Sequence, residues 1–501
     1  MSSFLQTLVD ATEASSPRSQ CEGNHAALKC APTPETLSLA DDSNFKSVSS
    51  ISLQEVNNFE NVSPENLPRT VKFIDEAPHI NALNLGLGTK DGGVGEIRNW
   101  SDNKYFSELV DEGLKYLGQS ANEVTMVYEC PSSSGKDTSF HNADKYRIHD
   151  FPPTPYEYKV VLRPIRYSVM NGRTHPAFLV HDCPAKLIEH WGKAIPNFCP
   201  PTFVNSISPT AKVNAYLPIE AVPSHLHINN PDIHYFLAGK DAINLMTDKA
   251  TKLFPNTKDV RPCVAKVTHA MGSLGIFVIQ NDSDEEKFFD FVKKTKNPSY
   301  VITSFVEIVK NLSCHFFIHP NGDVIWFGSS ENLLLPNGTW SSDSTIEMCC
   351  QQELKDIMTP FTVDVVEYCL SRGFWGFAGI DVLIGPDGTG YVVDVNPRVT
   401  GTMPTLMVAQ QIYNELGLNV GKFRKSSKYV FAGSAEDLLC LVDEFNSIHH
   451  GHCRIVIFSL FEVSNEQTQC NMAVFGESHT QCEAVLDRFL QKAPKTKVVR
   501  K

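Results

Sequence analysis

A short segment near residue 390 places side chains for a cation and for an anion next to each other. Alternate residues of a β-strand share a face, so Asp394, Asn396 and Arg398 point the same way. Asp381 lies on a second predicted strand, and Pro386-Asp-Gly is typical of the turn between the two strands. Carboxylate and amide oxygens are the ligands that Mg²⁺ prefers, and an arginine suits a phosphate. The segment therefore predicts a hairpin that carries a metal site beside an anion site.

Two lysines and a glycine-containing loop precede this hairpin. Lys266 lies in a predicted strand at residues 264–267, and Lys249 lies in a polar helix predicted to begin at Ala238. A lysine on a strand is usually a solvated surface residue, but the apolar neighbours of Lys266 and the loop after it favour a functional role. Glycines let a backbone approach phosphate oxygens closely. The loop after Lys266 contains two glycines, Gly272 and Gly275, and Ser273 follows the first of them.

Composition limits the classes of protein that this chain can belong to. A length of 501 residues with 42% hydrophobic and 20% charged residues is typical of a globular protein with about two to four domains. A formal net charge of −13 argues against a nucleic-acid binder. No apolar run approaches the roughly 18 residues of a membrane span, and the N-terminus lacks a secretory pattern. The 14 cysteines include no Cys-x-x-Cys pair, which predicts reduced thiols in a cytoplasmic protein.

The chain is predicted to contain four parts with a mixed α/β and α+β architecture. Residues 1–65 are polar and aperiodic, which predicts a largely disordered or loosely attached segment. Residues 66–237 alternate predicted strands and helices, as in a small parallel α/β domain. Residues 238–424 contain both lysines and the hairpin, and residues 425–501 form a small α/β unit.

Individual elements of the second part are predicted from hydrophobic periodicity. Residues 105–117 have the pattern of an amphipathic helix. Short apolar runs at residues 71–74, 124–128, 159–163 and 177–180 predict strands.

The order of these parts resembles the ATP-grasp superfamily. That family clamps ATP between two α+β subdomains, with a lysine-bearing strand, a glycine-rich flap and a hairpin of the form D…(D/E)-x-N-P-R. The resemblance covers about residues 238–424 and implies a pre-ATP-grasp α/β domain before them. Residues 330–340 and the C-terminal unit are similar to the ATP-grasp peptide ligases related to the pheganomycin enzyme.

The resemblance implies roles at the phosphate end of the nucleotide. Lys249 and Lys266 would contact the phosphates, and the loop at residues 272–275 would be the flap. Arg398 would face an acyl-phosphate, and Lys266 and Arg398 would be the catalytic residues. One or two Mg²⁺ ions, with Mn²⁺ as an alternative, would have three ligands: Asp381, Asp394 and Asn396. Asp394 stands where the family usually has glutamate.

The adenine end of the site departs from the family pattern. The hinge that holds adenine corresponds to three residues: Ser304, Phe305 and Val306. Ser304 stands where the family has an acid, and Asn311 stands where an acid is expected to hold the ribose hydroxyls. Glu307 is another candidate for that second role, so the ribose-binding residue stays open.

The function implied by the resemblance is an ATP-dependent carboxylate–amine ligase. Its partners would be a small-molecule carboxylate, such as an amino acid or small peptide, and an amine, with no nucleic acid or membrane; a homodimer stays open. The alternatives are a small-molecule kinase with the same fold and a nucleotide-binding regulator without turnover. The sequence does not identify the substrates.

Overall fold

The computed structural model describes residues 87–493 apart from short internal gaps, at residues 89–92, 102–103, 121–122, 134–137, 150–154, 271–274, 296–297, 335–339, 425–429 and 465. All described residues belong to one compact unit. The segment predicted to be loosely attached, at residues 1–65, and the strand predicted at residues 71–74 lie outside the described residues.

The first described part of the chain is built around a parallel sheet. In chain order its elements are β1 (Ile97–Asn99), α1 (Phe106–Tyr116), β2 (Val124–Val127), a π-helix (Tyr158–Leu162), α2 (Arg163–Ser168), β3 (Ala177–Phe178), α3 (Ala185–Ala194), β4 (Phe203–Val204) and β5 (Lys212–Ala215). Strands β2 to β5 pair in parallel in the order β4-β3-β2-β5. A parallel α/β sheet is therefore present where the sequence predicted one.

The prediction of a strand at residues 159–163 is wrong, because this segment is helical. The π-helix Tyr158–Leu162 runs directly into α2. Val160, Leu162 and Ile165 are all buried, and an apolar run that is buried on every side has no alternation to separate a strand from a helix.

The second described part forms a small antiparallel sheet covered by one long helix. Its elements are a 3₁₀ turn (Ser224–Leu226), α4 (Pro231–Leu237), α5 (Ile243–Met246), β6 (Leu253–Phe254), a second 3₁₀ turn (Thr257–Asp259), β7 (Cys263–Val267), β8 (Ile276–Ile279), α6 (Asp282–Lys294) and β9 (Tyr300–Ser304). The strand order is β6-β9-β7-β8. Helix α6 starts at the cap Asn281, whose side chain accepts the Asp284 N–H. It packs Phe288 and Val292 into a core with Ala265.

The prediction that Lys249 lies in a helix is also wrong. Helix α5 ends at Met246, and Lys249 lies in the turn that follows. The Thr247 hydroxyl accepts the Lys249 N–H at 3.1 Å. A local side-chain bond of this kind offers the backbone an alternative to the helical bond.

The remaining elements build one large sheet with helices packed on it. They are β10 (Lys310–Ile318), β11 (Val324–Leu334), β12 (Trp340–Glu347), α7 (Gln351–Ser371), β13 (Gly376–Ile384), β14 (Gly390–Asn396), α8 (Met403–Leu416), β15 (Val420–Arg424), β16 (Val430–Ala432), α9 (Ala435–Ile448), β17 (Cys453–Ser464), β18 (Gln467–Gly476) and α10 (His479–Lys492). The sheet has ten strands among the described residues, in the order β14-β13-β10-β11-β12-β15-β18-β16, with β1 on β11 and β17 on β18.

Strands from both ends of the chain join this sheet. Strand β1 pairs with β11 in parallel, and β18 pairs with β15 across the predicted boundary at residue 424. The hairpin β13–β14 therefore lies at the edge of a sheet that residues 453–476 extend on the far side. None of the helices that the structure describes combines the length and the apolar character of a membrane span.

Candidate active site

Strands β13 and β14 bring the predicted metal ligands to neighbouring positions. Asp381 pairs with Asp394 across the antiparallel hairpin, and Asn396 pairs with Gly379. The register shifts immediately after Asp381, and such a bulge re-aims a side chain. Asn396 Nδ2 donates to Asp394 Oδ2 at 3.4 Å. The three oxygen-bearing side chains therefore form one group at the end of the hairpin.

Two carboxylates are held side by side at an electrostatic cost. The Ser313 hydroxyl donates to Asp381, and Asn332 Nδ2 donates to Ser313 Oγ at 2.6 Å. Burial of the Asp381 carboxyl and repulsion from Asp394 raise the pKa of Asp381 to about 6. A hard cation that is bound by both carboxylates would remove this repulsion.

Arg398 is anchored between the carboxylate pair and an aromatic wall. Its Nη2 donates to Asn396 Oδ1 at 2.6 Å, and its guanidinium lies 4.7 Å from the centre of the Tyr216 ring. His234 Nε2 bonds to the Pro397 carbonyl oxygen at 2.8 Å, which fixes the backbone beside Arg398. The arginine is thus positioned by strand β14 on one side and by the parallel-sheet part of the chain on the other.

Lys266 lies inside the site on strand β7. Its side chain is buried, and its Nζ donates to the Val393 carbonyl oxygen at 3.3 Å. Burial lowers the pKa of Lys266 to about 8, although the Asp394 carboxylate acts in the opposite direction. The structure therefore brings Lys266 next to the strand that carries the predicted metal ligands.

Lys240 belongs to the same group, although no sequence pattern indicated it. Its side chain is 5% exposed, and its Nζ lies 3.3 Å from Asp394 Oδ1. Its N–H donates to the Thr268 carbonyl oxygen at 3.1 Å, which ties it to the strand end before the flap. A single lysine in a short loop carries no periodic signal. Only the apolar residues near Lys240 in the sequence, Leu237 and Ala242, indicated that its side chain is buried.

We expect Lys240→Met to weaken both the fold and nucleotide binding. The variant removes the Lys240 ammonium and leaves the Asp394 carboxylate beside that of Asp381 without a positive partner. Removal of one partner of a largely buried ion pair costs about 3 kcal/mol or less when the remaining partner is partly exposed. Urea unfolding in EDTA should show that loss, and Mg²⁺ should restore part of it because a bound cation stabilises the folded state. The KM for ATP should rise about tenfold, the effect of about 1.4 kcal/mol.

The exposed Lys252 provides the control for this prediction. Its Nζ lies 5.3 Å from the Phe254 ring and takes no part in the carboxylate group. Lys252→Met should therefore leave stability and KM nearly unchanged. If Lys240→Met and Lys252→Met had the same stability and the same KM for ATP, Lys240 would not be part of the site.

A small pocket opens beside Arg398. It lies where β2 and β5 end, since Tyr128 follows β2 and Tyr216 follows β5. The carboxyl ends of parallel strands are a common location for ligands. The lining consists of Tyr128, Asn214, Ala215, Tyr216, Asn229, His234, Phe374, Phe377, Pro397, Arg398 and Val399. Of these, the sequence had singled out Arg398 alone as a site residue, because all the others except its neighbours Pro397 and Val399 come from distant segments without a motif.

The central segment of the chain matches a known protein family. Residues 249–396 match the family model described as "L-aspartate--L-methionine ligase, ATP grasp". This segment is an ATP-grasp domain. The match confirms the resemblance that the hairpin, Lys266 and the flap loop indicated. It also supports the predicted class of enzyme, a ligase that forms C–N bonds.

Solved structures that resemble this chain share little of its sequence. N5-carboxyaminoimidazole synthetase from Staphylococcus aureus, complexed with ADP, is 13% identical with a TM-score of 0.41, covering 78% of this chain and 99% of that one. Biotin carboxylase from Campylobacter jejuni is 11% identical with a TM-score of 0.40, covering 81% and 93%. L-amino acid ligase from Bacillus licheniformis is 12% identical with a TM-score of 0.35, covering 52% and 72%.

ATP-grasp enzymes use ATP and Mg²⁺, which confirms the predicted cofactors. The residues present fit such an ion, because Asp381, Asp394 and Asn396 offer a grouped set of oxygen ligands. Burial and the neighbouring Asp394 carboxylate raise the pKa of Asp381, and a bound cation would relieve the repulsion between the two carboxylates. The number of ions and the use of Mn²⁺ stay predictions.

The structure places Lys249 apart from the other predicted phosphate-binding groups. Its Nζ pairs with Asp364 of α7 at 2.7 Å and with Asp248 at 3.6 Å. Its carbonyl oxygen accepts the Val392 N–H at 2.9 Å, so its backbone is attached to β14. To contact a phosphate as predicted, the Lys249 ammonium would have to break its ion pair with Asp364 or bind both groups at once.

The loop predicted to be the flap is described only on either side of residues 271–274. Gly272 and Ser273 lie outside the described residues. Gly275 has a φ of +73°, which L side chains rarely adopt. A Cβ at this position would meet the Val267 side chain at 3.0 Å. Gly275 is therefore required by the turn that returns the chain from the flap to β8.

The predicted adenine hinge begins at the end of strand β9. Ser304 is the last residue of β9, and its N–H donates to the Lys252 carbonyl oxygen at 2.9 Å. Phe305 and Glu307 are exposed, and Val306 is partly buried. Asn311 Oδ1 is buried and has no hydrogen-bond partner among the described residues, so a donor such as a ribose hydroxyl would satisfy it.

Proposed function

We propose that this protein is an ATP-dependent carboxylate–amine ligase that joins an amino acid or small peptide to an amine. The observation that carries the proposal is the position of Arg398. Its guanidinium bonds to Asn396 of the metal-ligand group and also lines the pocket beside Tyr216. A carboxylate in the pocket would therefore lie next to the place where Mg²⁺ would hold the triphosphate.

The reaction needs two successive displacements, one at phosphorus and one at the acyl carbon. A carboxylate oxygen attacks the γ-phosphorus of ATP, ADP leaves, and an acyl-phosphate is formed. The amine nitrogen then attacks the acyl carbon, phosphate leaves, and the nitrogen loses a proton to give the amide. Mg²⁺ would neutralise charge on the triphosphate during the first displacement. No serine or cysteine nucleophile is required.

The residues of the chain have separate tasks in this scheme. Asp381, Asp394 and Asn396 would hold the metal ion, and Lys266 would contact a phosphate oxygen from the buried strand β7. Arg398 would stabilise the negative oxygens that develop at the acyl carbon and on the leaving phosphate. Aromatic walls around the pocket would limit the access of water to the hydrolysable intermediate.

The nucleotide would extend from the hairpin toward the end of β9. We propose that backbone groups of Ser304, Phe305 and Val306 hold adenine, and that Asn311 or Glu307 contacts the ribose. Lys249, Gly272, Ser273 and Gly275 would complete the phosphate end. The domain boundaries at residues 65, 237 and 424 are proposed on the same basis, and the oligomeric state is open between a monomer and a homodimer.

Hydroxylamine trapping tests the proposed reaction. The protein with MgATP and a panel of amino acids should release ADP and phosphate and should form a hydroxamate when hydroxylamine replaces the amine. The hydroxamate reports the activated acyl group, since hydroxylamine attacks an acyl-phosphate directly. A phosphorylated substrate without release of phosphate would instead show a kinase. ATP binding without turnover on any member of the panel would show a regulator.

A further inference from the structure

Two cysteines and a glutamate meet where strand β12 leads into helix α7. Cys349 Sγ and Cys350 Sγ lie 3.6 Å apart, and both residues are free thiols. Glu347 is the last residue of β12, and the Cys350 thiol donates to its Oε2 at 3.5 Å. The ligand atoms of the three side chains all lie within 4.8 Å of one another. Two sulfur ligands and one carboxylate oxygen are therefore available to a single ion.

The separations within this group are close to those of a tetrahedral zinc site. Two Zn–S bonds of about 2.3 Å at the tetrahedral angle place their sulfurs about 3.8 Å apart, and a Zn–O bond of about 2.0 Å places its oxygen about 3.5 Å from each sulfur. The structure has 3.6 Å between the two thiols and 3.5 Å between Cys350 Sγ and Glu347 Oε2. The ligands would thus need little movement to bind the ion.

Asn419, which lies directly before β15, holds Cys349 in this position. Its Oδ1 accepts the Cys349 N–H at 2.7 Å, and its Nδ2 donates to Cys349 Sγ at 3.2 Å. Its carbonyl oxygen accepts the Met348 N–H at 2.8 Å. Cys350 is the N-cap residue of α7, where the helix dipole favours an anionic group. Each sulfur is therefore placed by an element other than β12.

The Glu347 carboxylate is positioned from the other side by His479. His479 is the first residue of α10, and its Nε2 bonds to Glu347 Oε1, which leaves Oε2 for the thiols. Gln351 Nε2 donates to the Glu347 carbonyl oxygen at 3.0 Å. Ligating carboxylates in metal sites are usually held by hydrogen bonds of this kind. The chain thus supplies both the ligands and the groups that orient them.

We propose that Glu347, Cys349 and Cys350 form a zinc site, with a fourth position open to water or to a further ligand. Thiolate sulfur selects Zn²⁺, whereas Mg²⁺ takes oxygen ligands. In the sheet order β13-β10-β11-β12, this group lies three strand spacings, about 14 Å, from the metal hairpin. The zinc site is therefore separate from the nucleotide site and does not depend on the ligase reaction. The ion would join the end of β12 to the start of α7.

Cobalt substitution tests this proposal, because Co²⁺ bound by thiolates has a sulfur-to-metal charge-transfer band. The reduced protein, freed of metal ions with EDTA and kept without oxygen, should bind one equivalent of Co²⁺ with this band and with a tetrahedral visible spectrum. Zn²⁺ should displace the Co²⁺, and an excess of Mg²⁺ should not. The double variant Cys349→Ser/Cys350→Ser should lose the band. His479→Ala should weaken Zn²⁺ binding by about tenfold or more, the usual effect of losing a residue that orients a ligand.

Matched controls come from the neighbouring surface. Cys440 is an exposed free thiol on α9, and Glu353 is an exposed acid in the first turn of α7. Cys440→Ser and Glu353→Gln should bind Co²⁺ with the spectrum of the natural protein. Asp394→Asn should keep the same spectrum, which separates this site from the metal hairpin. Zn²⁺ should raise the midpoint of thermal unfolding of the natural protein and not that of the double cysteine variant, and the same measurement establishes that each variant is folded.

Three results would overturn the zinc site. One is a Co²⁺ spectrum without the charge-transfer band, which would mean that no thiolate binds the ion. The second is the same band in the double cysteine variant, which would place the ion on other thiols. The third is a failure of the reduced protein to bind Zn²⁺ while mass spectrometry shows Cys349 and Cys350 joined in a disulfide after exposure to an oxidant, with the loss of two protons and two electrons. The pair would then be a redox group and not a metal ligand set.

Discussion

Asp394→Asn is expected to abolish Mg²⁺-dependent ADP release while the protein stays folded. The substitution keeps the shape of the side chain and removes one of the two facing carboxylates. A metal ion contributes several kcal/mol to charge stabilisation in such reactions, so the rate should fall by about 10³-fold or more at 1.36 kcal/mol per tenfold change. Asn396→Ala should act in the same direction, because it removes the third oxygen ligand.

The fold should tolerate these changes because the group lies at a strand end and not in the core. Asp394 is 26% exposed, and loss of its charge also ends its repulsion of Asp381. Because Lys240 loses its partner, as Asp394 does in Lys240→Met, unfolding should show a loss of about 3 kcal/mol or less, with the folded state retained. The control is Asp387→Asn in the turn of the same hairpin, where the carboxylate accepts from Thr389 and is exposed. Retention of most activity by Asn396→Ala would show that the metal assignment is wrong.

Arg398→Met is expected to reduce the yield of hydroxamate and the rate of ADP release by about 10²–10³-fold. Removal of one preorganised donor to a developing oxyanion has this effect in acyl-transfer enzymes. The KM for ATP should change much less, since the guanidinium bonds to Asn396 and lines the pocket rather than approaching the hinge. Arg398→Lys should be intermediate, because lysine keeps the charge but not the planar fork.

Metal dependence separates this effect from an indirect loss of the metal ligand. Arg398 Nη2 bonds to Asn396 Oδ1, so its removal could also release the amide. If that were the main cause, excess Mg²⁺ or Mn²⁺ would restore the rate of Arg398→Met, as it should in part for Asn396→Ala. We expect no such recovery for Arg398→Met. If excess metal ion restored the rate of Arg398→Met, the role of Arg398 would be to position Asn396 and not to stabilise the acyl group.

The local parts of the site were predictable because they follow short-range rules. Strand periodicity and a Pro-Asp-Gly turn were enough to place Asp394, Asn396 and Arg398 on one hairpin with Asp381 opposite, and the same rules predicted the strand of Lys266. The resemblance to the ATP-grasp family then supplied the cofactors, which the family match confirms. A motif contained in one hairpin can be predicted without knowledge of the rest of the chain.

Other predictions failed where a segment is buried on several sides or capped locally. Residues 159–163 are helical and all buried, and the π-helix and α2 both pack against β17 of the large sheet, so no solvent face produces alternation. Lys249 lies beyond its helix because the Thr247 hydroxyl replaces a helical bond. In both cases packing or a single side chain outweighed the apolar pattern.

The sequence by itself determined the hairpin on which Asp381 and Asp394 face each other, the strand that carries Lys266 and the family that the central segment matches. Only the tertiary structure decided what surrounds that chemistry. Lys240 reaches Asp394 from a loop about 150 residues earlier in the chain, and Arg166 reaches the loop after Arg398 from α2. The physical reason is that a buried charge is defined by its neighbours in space, and those neighbours come from elements whose separation in sequence carries no pattern.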